Sequence, residues 1–267
     1  MCESGRVAGN NSLERALILL KVIEQTPGGL RNADISKQLK IPKSSCTYIT
    51  SRLEREGYLI KDEASKRYKI GLTPIALAHG ALREVGIRTG AEPALYKLTS
   101  KTGLSAGIGV LQGGRVLLVD RVEGPRFVNK AMEAAVGPPS YRVRAQRDVG
   151  RSLPAHSTAL GKVLLAFLPR QQAIDLISKF GPVSKRRLLA ELDLVRKQRY
   201  AIADGEVYAD LRAVSVPIFD ADGEVRAAVS VNGNPGEPAW DDMAGLVKTV
   251  EEAARDISRR ARILQTR

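Results

Sequence analysis

The chain has 267 residues, of which 43% are apolar and 27% are charged. At roughly 100–200 residues per domain, this length predicts two domains, and the composition excludes a globally disordered chain. No stretch of about 18 residues lacks charged side chains, which argues against a transmembrane helix. Two cysteines and two histidines are too few for a disulfide framework or a convincing zinc site. Because the start of the chain is polar and has no apolar core, we expect a cytoplasmic protein in a reducing compartment, without a metal or other cofactor.

The positive charge of the chain predicts an anionic partner. Its 42 Lys and Arg residues exceed its 29 Asp and Glu residues, which gives a net charge of +13 and a pI near 9.9. Nucleic acid is the first candidate and a membrane surface the second, although many soluble proteins are basic for solubility alone. Residues 1–71 carry 13 basic and 8 acidic side chains. The charge is therefore denser at the front of the chain without being confined to it.

The first part of the chain predicts a loose tail followed by three helices. Residues 1–11 contain glycines and asparagines and form the tail. Ser12 then offers an N-cap oxygen to a helix whose apolar residues recur at helical spacing until the turn residues at 26–29. A short helix is predicted at 32–40 and a third helix at 43–56, each ended by turn-forming residues.

The segment after the third helix predicts a β-hairpin. Two short strand-like runs, at 58–60 and 67–70, flank a polar turn. Three helices followed by a hairpin are the outline of a winged helix-turn-helix, which we place at 12–71. A proline at the first helical position then opens a connecting helix over 72–90. A fourth helix of the first domain fits that last pattern about as well.

From residue 91 onward, helical and strand-like runs alternate. Hairpins are predicted at 105–122, across a Gly-Gly turn, and at 214–231. Helices are predicted at 93–101, 158–168, 170–180, 185–199 and 241–264, with an irregular stretch at 124–154. Helices segregated from antiparallel hairpins predict an α+β domain over 91–267.

The third helix has one face suited to a DNA groove. A step of about 100° per residue places Cys46, Ile49 and Leu53 on one side, and hydroxyl groups and cations on the other. The residues of this helix that we expect to contact DNA are Lys43, Ser44, Ser45, Thr47, Tyr48, Ser51 and Arg52. Hydroxyl groups reach phosphates or base edges, and arginine pairs with guanine. An ordinary solvated face is the alternative, but the short helix before it and the hairpin after it favour DNA.

The hairpin supplies a second set of expected DNA contacts. Among its basic residues Lys61, Lys66, Arg67 and Lys69, we expect Lys66 and Arg67 to contact flanking phosphates, which sets affinity rather than sequence choice. A short charged turn that is merely solvated is the alternative. One such module buries roughly 600–1,000 Å² on DNA. Useful affinity for double-stranded operator DNA therefore requires two copies, and we expect a homodimer in which the connecting helix forms a contact.

Several motifs resemble the IclR-type family of bacterial transcriptional regulators, and the resemblance covers about 12–264. The matching motifs are Ser-Leu-Glu-Arg-Ala-Leu at 12–17, Ile-Pro-Lys-Ser-Ser at 41–45, Glu-Gly-Tyr-Leu at 56–59, Tyr-Lys-Ile-Gly at 68–71 and Pro-Ala-His-Ser-Thr-Ala-Leu-Gly-Lys at 154–162. The last of these is the most specific. Their number and order indicate a regulator of this type.

The resemblance implies an α+β protein in which an N-terminal winged helix-turn-helix is joined by a linker helix to a GAF-like effector-binding domain with an antiparallel sheet. It also implies dimers or dimers of dimers that act on promoters of catabolic operons, and a small-molecule effector, often a carboxylic or aromatic acid. Carried over by position, the effector-binding residues are Ala159 and Leu160 through their backbone amides, Asp204 or Ala203 in its place, Ala213, Ser230 and Asn232.

The residues themselves support a ligand near position 158 only modestly. The helix predicted at 158–168 is apolar on most sides, so its first N–H groups need partners, and a carboxylate there gains hydrogen bonds and the favourable helix dipole. Simple capping by Ser157 or Thr158 explains the same residues. Ser230 and Asn232 are two apart on a strand and face the same side, where a solvent-facing polar edge is the alternative.

An enzyme is the other class that these residues suggest. His156 and Ser157, with Asp204, would supply a base, a nucleophile and an orienting group. Adjacent residues rarely point at each other productively, however, and the serine lies in no G-x-S-x-G elbow. The sequence also has no P-loop, no G-x-G-x-x-G and no metal-ligand spacing. We therefore expect a regulator rather than an enzyme, and its expected partners are operator DNA and a small-molecule effector. We expect no membrane partner. A DNA-binding module without a ligand is the remaining alternative.

Overall fold

The computed structural model describes residues 11–85, 87–124, 149–180 and 185–260. The chain divides into two compact units, Met1–Ala81 and Leu82–Arg267. The elements that begin in the first unit are α1 (Ser12–Glu24), β1 (Leu30–Arg31), α2 (Asn32–Leu39), α3 (Lys43–Arg55), β2 (Leu59–Lys61), β3 (Arg67–Ile70) and α4 (Thr73–Val85). The structure confirms the three predicted helices and the hairpin. Residues 1–10 of the predicted tail lie outside the described residues.

The first three helices share one apolar core, because each buries a stripe of residues at helical spacing. Leu19 and Ile23 of α1, Ile35 of α2, and Cys46 and Ile49 of α3 are all at most 5% exposed. The inward face predicted for α3 is therefore confirmed for Cys46 and Ile49. This packing leaves the opposite face of α3 in solvent.

The start of α1 differs from the prediction, whereas α2 begins at Asn32 as predicted. The N-cap of α1 is Asn11, whose side-chain oxygen accepts the Glu14 N–H at 2.8 Å, so the prediction that Ser12 is the cap was wrong. Ser12 is instead the first helical residue, because Asn11 offers the same kind of acceptor one position earlier. The residue before α2 is Arg31, which has no hydroxyl to cap the helix. The Asp34 carboxylate instead accepts the Arg31 N–H at 3.4 Å and so satisfies a backbone donor at the start of α2.

The hairpin belongs to a three-stranded antiparallel sheet in the order β1-β3-β2. Leu59 pairs with Ile70 as the hairpin requires, and Leu30 pairs with Tyr68 on the other side. The two-residue strand β1 was not predicted, since a run this short has no periodicity. A Cβ atom at Gly29 would lie 2.3 Å from the Tyr68 carbonyl oxygen. Only glycine therefore lets the chain before β1 approach the β2–β3 hairpin, here called the wing, this closely.

The helix after the wing ends at Val85, and α5 (Ile87–Thr102) begins two residues later. The predicted start at 93 was wrong, because Pro93 lies inside α5 and removes only one N–H donor from it. The apolar residues that recur at helical spacing in α4 are Ile75, Ala78, Leu82 and Val85, and the first of this set, Ile75, is 64% exposed. The side chains of its last members, Leu82 and Val85, lie outside the described residues.

The second unit is built on a six-stranded antiparallel sheet in the order β6-β5-β4-β9-β8-β7. Its elements after α5 are β4 (Ser105–Gln112), β5 (Arg115–Val122), β6 (Ser152–Pro154), α6 (Ala159–Ala166), α7 (Arg170–Ser178), α8 (Lys185–Gln198), β7 (Ala201–Asp204), β8 (Arg212–Phe219), β9 (Val225–Gly233) and α9 (Met243–Arg260). Both predicted hairpins are confirmed, and their first strands, β4 and β8, each flank β9. The short edge strands β6 and β7 were not predicted. Most of the stretch expected to be irregular, 125–148, lies outside the described residues, as does the end of the last predicted helix beyond 260.

Helices cover both faces of this sheet. On one face, α5 and α9 bury residues such as Leu95 and Ile257 against the strands. On the other face, α6, α7 and α8 form a second core with residues such as Val163 and Leu192. This arrangement confirms the expected α+β class and the GAF-like plan of the second unit. It also fixes the start of α6 beside the strands that carry the candidate ligand residues.

Candidate DNA interface and ligand cavity

The outer face of α3 carries most of the residues that were expected to contact DNA. Ser44, Thr47, Tyr48, Ser51 and Arg52 are all exposed. Tyr48 is 60% exposed, and the Arg52 guanidinium lies 5.8 Å from the centre of its ring, within the range of a cation–π contact. Lys43 is exposed as well, and Ser45 is half-buried. The face therefore combines hydroxyl groups, cations and one aromatic ring, which are groups that recognise DNA.

Asn32 joins α2 to α3 through two side-chain hydrogen bonds. Its side-chain amide donates to the Thr47 hydroxyl at 2.5 Å, and its side-chain oxygen accepts from the Cys46 thiol at 2.6 Å. The Thr47 hydroxyl in turn donates to the Lys43 carbonyl at 2.9 Å. Burial raises the pKa of the Cys46 thiol to about 11, so this thiol stays protonated and remains a donor. Thr47 thus holds the helix pair together as well as facing solvent.

The turn of the wing is organised by Asp62. Its carboxylate accepts from the Ser65 N–H at 2.7 Å and from the Ser65 hydroxyl at 2.6 Å, and these hydrogen bonds lower the pKa of Asp62. Lys66 is exposed and pairs with Glu63 at 2.7 Å. Arg67 is half-buried, and its guanidinium donates to the Gly29 carbonyl at 2.7 Å. Lys66 is therefore better placed than Arg67 to meet a phosphate.

The second unit contains a partly enclosed cavity of about 90 Å³, beside the start of α6. At about 10–15 Å³ for one water molecule, that volume accommodates several waters or a compact organic molecule. The residues that line the cavity are Leu118, Arg121, Arg151, Leu153, Ser157, Thr158, Ala159, Leu160, Ala203, Glu206, Val207, Tyr208, Leu211, Ala213, Ser230 and Asn232. They come from the strands β5, β6, β7, β8 and β9, from the start of α6 and from the segments between these elements.

The start of α6 presents backbone donors to this cavity. Thr158 caps the helix: its hydroxyl oxygen accepts from the Gly161 N–H at 3.1 Å, and its O–H donates to the Pro154 carbonyl at 2.9 Å. A Cβ atom at Gly161 would lie 2.1 Å from the Ala155 carbonyl oxygen, so glycine is required for this close turn. Capping by Thr158 satisfies one donor, and the described residues give no acceptor to the N–H groups of Ala159 and Leu160.

Five of the six expected effector-binding residues line the cavity. Ala159, Leu160 and Ala213 do so, and Ser230 and Asn232 are 6% and 7% exposed and point into it. A solvent-facing polar edge for the last two was therefore the wrong alternative.

Asp204 does not line the cavity. On β7, alternate residues face opposite sides, so Ala203 faces the cavity and Asp204 faces solvent. The Asp204 carboxylate pairs with Arg212 at 2.6 Å instead. Of the two residues named as alternatives, Ala203 therefore lines the cavity and Asp204 does not.

Two arginines in the cavity were not found from the sequence. Arg121, on β5, has a side chain only 8% exposed; it pairs with Glu123 at 3.4 Å and donates to the Asn232 side-chain oxygen at 3.3 Å. Arg151 donates to the Tyr208 hydroxyl and lies 5.7 Å from the centre of its ring. The cavity therefore combines apolar walls with cations and amide donors, which is an environment that suits an anionic group on an apolar body.

The geometry gives no support to His156 as a catalytic base. Its ring packs on Phe180 with the ring centres 4.9 Å apart. Its Nδ1 is buried and has no hydrogen-bond partner in the described part of the chain. Burial lowers the pKa of His156, so the neutral form is favoured. No cluster of three metal-ligating side chains occurs among the described residues, and none of their helices is long and apolar enough to span a membrane.

A winged helix-turn-helix with a polar outer helix face, joined through a helix to a sheet with a cavity, is the architecture of a bacterial transcriptional regulator. Residues 12–63 match the family model of the IclR helix-turn-helix domain, and residues 79–259 match that of the bacterial transcriptional regulator IclR C-terminal domain. The chain therefore belongs to the IclR family, which consists of DNA-binding transcriptional regulators rather than enzymes.

Relatives of known name and structure cover nearly the full length of the chain. It is 27% identical to the HTH-type transcriptional regulator XynR of Escherichia coli, over 93% of this chain and 96% of XynR. It is 26% identical to IclR of Thermotoga maritima, with a TM-score of 0.65 over 94% and 98% of the two chains. An IclR homologue from Microbacterium hydrocarbonoxydans, solved in complex with 4-hydroxybenzoate, has a TM-score of 0.74 at 21% identity, over 94% and 98%.

Proposed function

We propose that this regulator binds operator DNA through α3 and the wing, and that an organic or aromatic acid in the cavity of the second unit changes that binding. In this account α3 enters the major groove with Ser44, Thr47, Tyr48, Ser51 and Arg52 facing the bases and phosphates. The exposed cation–π pair of Arg52 and Tyr48 is the observation that supports this face most directly. Lys66, at the tip of the wing, meets a flanking phosphate and adds affinity without sequence choice.

The acid is expected to bind with its carboxylate at the start of α6. The N–H groups of Ala159 and Leu160, without acceptors in the described residues, together with the helix dipole, favour a negative charge there. Arg151 adds positive charge to the same cavity, where Arg121 is paired with Glu123. Leu118, Leu153 and Leu211 provide apolar walls for the body of the acid. The complex of a family member with 4-hydroxybenzoate supports this class of ligand.

The regulator is expected to act as a homodimer or a dimer of dimers. One helix-turn-helix module buries roughly 600–1,000 Å² on DNA, which favours two copies on adjacent half-sites. Large apolar side chains at the start of α4 support a contact between copies, since Leu72, Ile75 and Leu77 are 77%, 64% and 56% exposed. The promoters that it controls would belong to a catabolic operon, and the acid would be the substrate or an intermediate of the encoded pathway. The protein would act in the cytoplasm.

The proposal is tested by two measurements on the full-length protein. In thermal unfolding, a panel of small carboxylic and aromatic acids that includes 4-hydroxybenzoate is compared with the matching uncharged amides; at least one acid should raise the midpoint, and its amide should not. In anisotropy titrations with a fluorescent promoter duplex, log K should fall with log[salt] by about 0.9 for each phosphate contact. The same acid should shift this affinity. The DNA part of the proposal fails if binding is independent of salt, and the ligand part fails if no acid has an effect.

A further inference from the structure

Helix α6 is buried on every side, yet its fourth residue is a lysine. Lys162 is 2% exposed, and every other residue of the helix is buried and uncharged. The ammonium group donates to Glu206 at 2.5 Å, to Glu191 at 2.6 Å and to the Ile202 carbonyl at 3.3 Å. All three ammonium protons therefore have an acceptor, which is the condition under which a buried lysine is tolerated.

These three acceptors lie on three different parts of the unit. Glu191 is on α8, Ile202 is on β7, and Glu206 is in the segment 205–211 that connects β7 to β8. Residues of this segment, including Glu206 and Tyr208, form one wall of the ligand cavity. Its ends are joined by the hydrogen bond from the Gly205 N–H to the Leu211 carbonyl at 2.9 Å. The segment is thus a closed loop, and side-chain contacts connect it to the rest of the unit.

The same helix that carries Lys162 also lines the cavity. Ala159 and Leu160 present their N–H groups to the cavity from the first turn of α6, three and two residues before the lysine. The Lys162–Glu206 pair therefore sets the distance between the amide donors of α6 and the segment 205–211. A second link, from Arg151 to the Tyr208 hydroxyl, holds the same segment from the side of β6.

We infer that Lys162 is a positioning residue of the ligand cavity, which holds the segment 205–211 as a cavity wall through its ion pair with Glu206. Its second carboxylate partner, Glu191, lies on α8 and does not line the cavity. The inference rests on the proposed ligand function of the cavity. Lys162 acts on the ligand only indirectly, because it contacts the wall of the cavity and does not line its interior. A lysine that merely stabilises the unit would instead affect all of its strands alike.

Hydrogen exchange of the full-length protein separates these two roles. Glu206→Gln should speed exchange of the Gly205 and Leu211 amides about tenfold while the amides of 227–231 in β9 keep their protection. Lys162→Met should do the same, and the double variant should add nothing further, because both changes remove one interaction. Glu191→Gln is the matched control. Glu191 pairs with the same ammonium but does not line the cavity, so this variant should leave the exchange rates of the Gly205 and Leu211 amides unchanged.

The inference is wrong if Glu206→Gln leaves the segment protected, or if β9 loses protection to the same extent. In Glu206→Gln the buried Lys162 keeps one carboxylate partner, Glu191. This variant therefore tests the inference even if Lys162→Met does not fold. A second readout uses 4-hydroxybenzoate and benzoate as probes in thermal unfolding. If either acid stabilises the wild type, Glu206→Gln should lose at least half of that shift and Glu191→Gln should retain it. If neither acid nor any other in the panel has an effect, the proposed ligand function fails, while the exchange experiment still decides the role of Lys162.

Discussion

The backbone N–H of Ala159 offers a test of the ligand cavity that leaves every side chain around it in place. Ala159 is the first residue of α6, and proline is accepted at that position because the N–H there has no partner within the helix. The residue before it, Thr158, has φ −117° and ψ 145°, the extended conformation that a following proline favours. Ala159→Pro should therefore delete one donor to the cavity while α6 and its Thr158 cap remain.

The expected loss follows from the kind of hydrogen bond removed. A hydrogen bond to a charged group contributes about 1.5–3 kcal/mol, so the dissociation constant of the bound acid should rise about 10- to 150-fold. Isothermal titration calorimetry with the acid that ranks first in the thermal screen measures this change. The amide of the same acid should bind equally poorly to the wild type and the variant, because it lacks the carboxylate that the donor recognises.

Ala159→Val is the matched control, because it adds bulk at the same buried position and keeps the N–H. It should change the affinity for the acid much less than Ala159→Pro does. Equal losses in the two variants would attribute the effect to packing, and an unchanged affinity in Ala159→Pro would refute the placement of the carboxylate at the start of α6. Circular dichroism of both variants checks that the helix content is retained.

Three further predictions concern the exposed face of α3, the half-buried His156 and the buried Cys46. Tyr48→Ala and Arg52→Ala should each weaken operator binding by about 1–3 kcal/mol and relax the preference for operator over random duplex. Lys66→Ala should weaken the binding of both duplexes alike. A wild-type preference in the first two variants would mean that another face of α3 contacts the bases. Burial lowers the pKa of His156 below its usual 6.5, so the unfolded chain takes up a proton that the folded chain resists. The stability that depends on neutral His156 is therefore complete above pH 6.5 and declines below it. His156→Phe, which keeps an aromatic ring beside Phe180, should flatten the fall of the urea midpoint between about pH 7 and 5, and identical pH profiles would contradict this. Finally, Cys46 is fully buried and its pKa is raised to about 11, so in a Cys2→Ser background Ellman's reagent should label it only in denaturant; rapid labelling of the native protein would show that α3 opens readily.

The face of α3 could be predicted because an amphipathic helix repeats its pattern within a few residues. Cys46 and Ile49 recur at helical spacing, so the side opposite them had to be exposed. The N-cap at Asn11 and the start of α5 at Ile87 could not be fixed in this way. Neighbouring residues with similar capping ability, or a proline tolerated inside a helix, leave the boundary open by several positions.

The charged part of the cavity could not be predicted, because it is assembled from residues far apart in the chain. Arg121 and Asn232 meet only because β4 lies between β5 and β9 in the sheet. The sequence leaves Asp204 and Ala203 as alternatives, because the register of β7, which decides the face of each residue, depends on its pairing with β8. For Lys162 a local signal did exist: a single charge in an otherwise apolar, buried helix needs buried partners.

The central claim is that the exposed face of α3 lies in a groove of operator DNA, and site-specific crosslinking tests it most directly. Ser51→Cys, in a Cys2→Ser background, places a reactive thiol on that face, while Cys46 stays buried and unreactive. Modified with a thiol-directed photocrosslinker, position 51 should crosslink to bases of the operator duplex, and excess unlabelled operator should compete. Leu17→Cys on α1, where the side chain is 53% exposed, should give no base crosslink. Crosslinks from position 17 with none from position 51 would contradict the account.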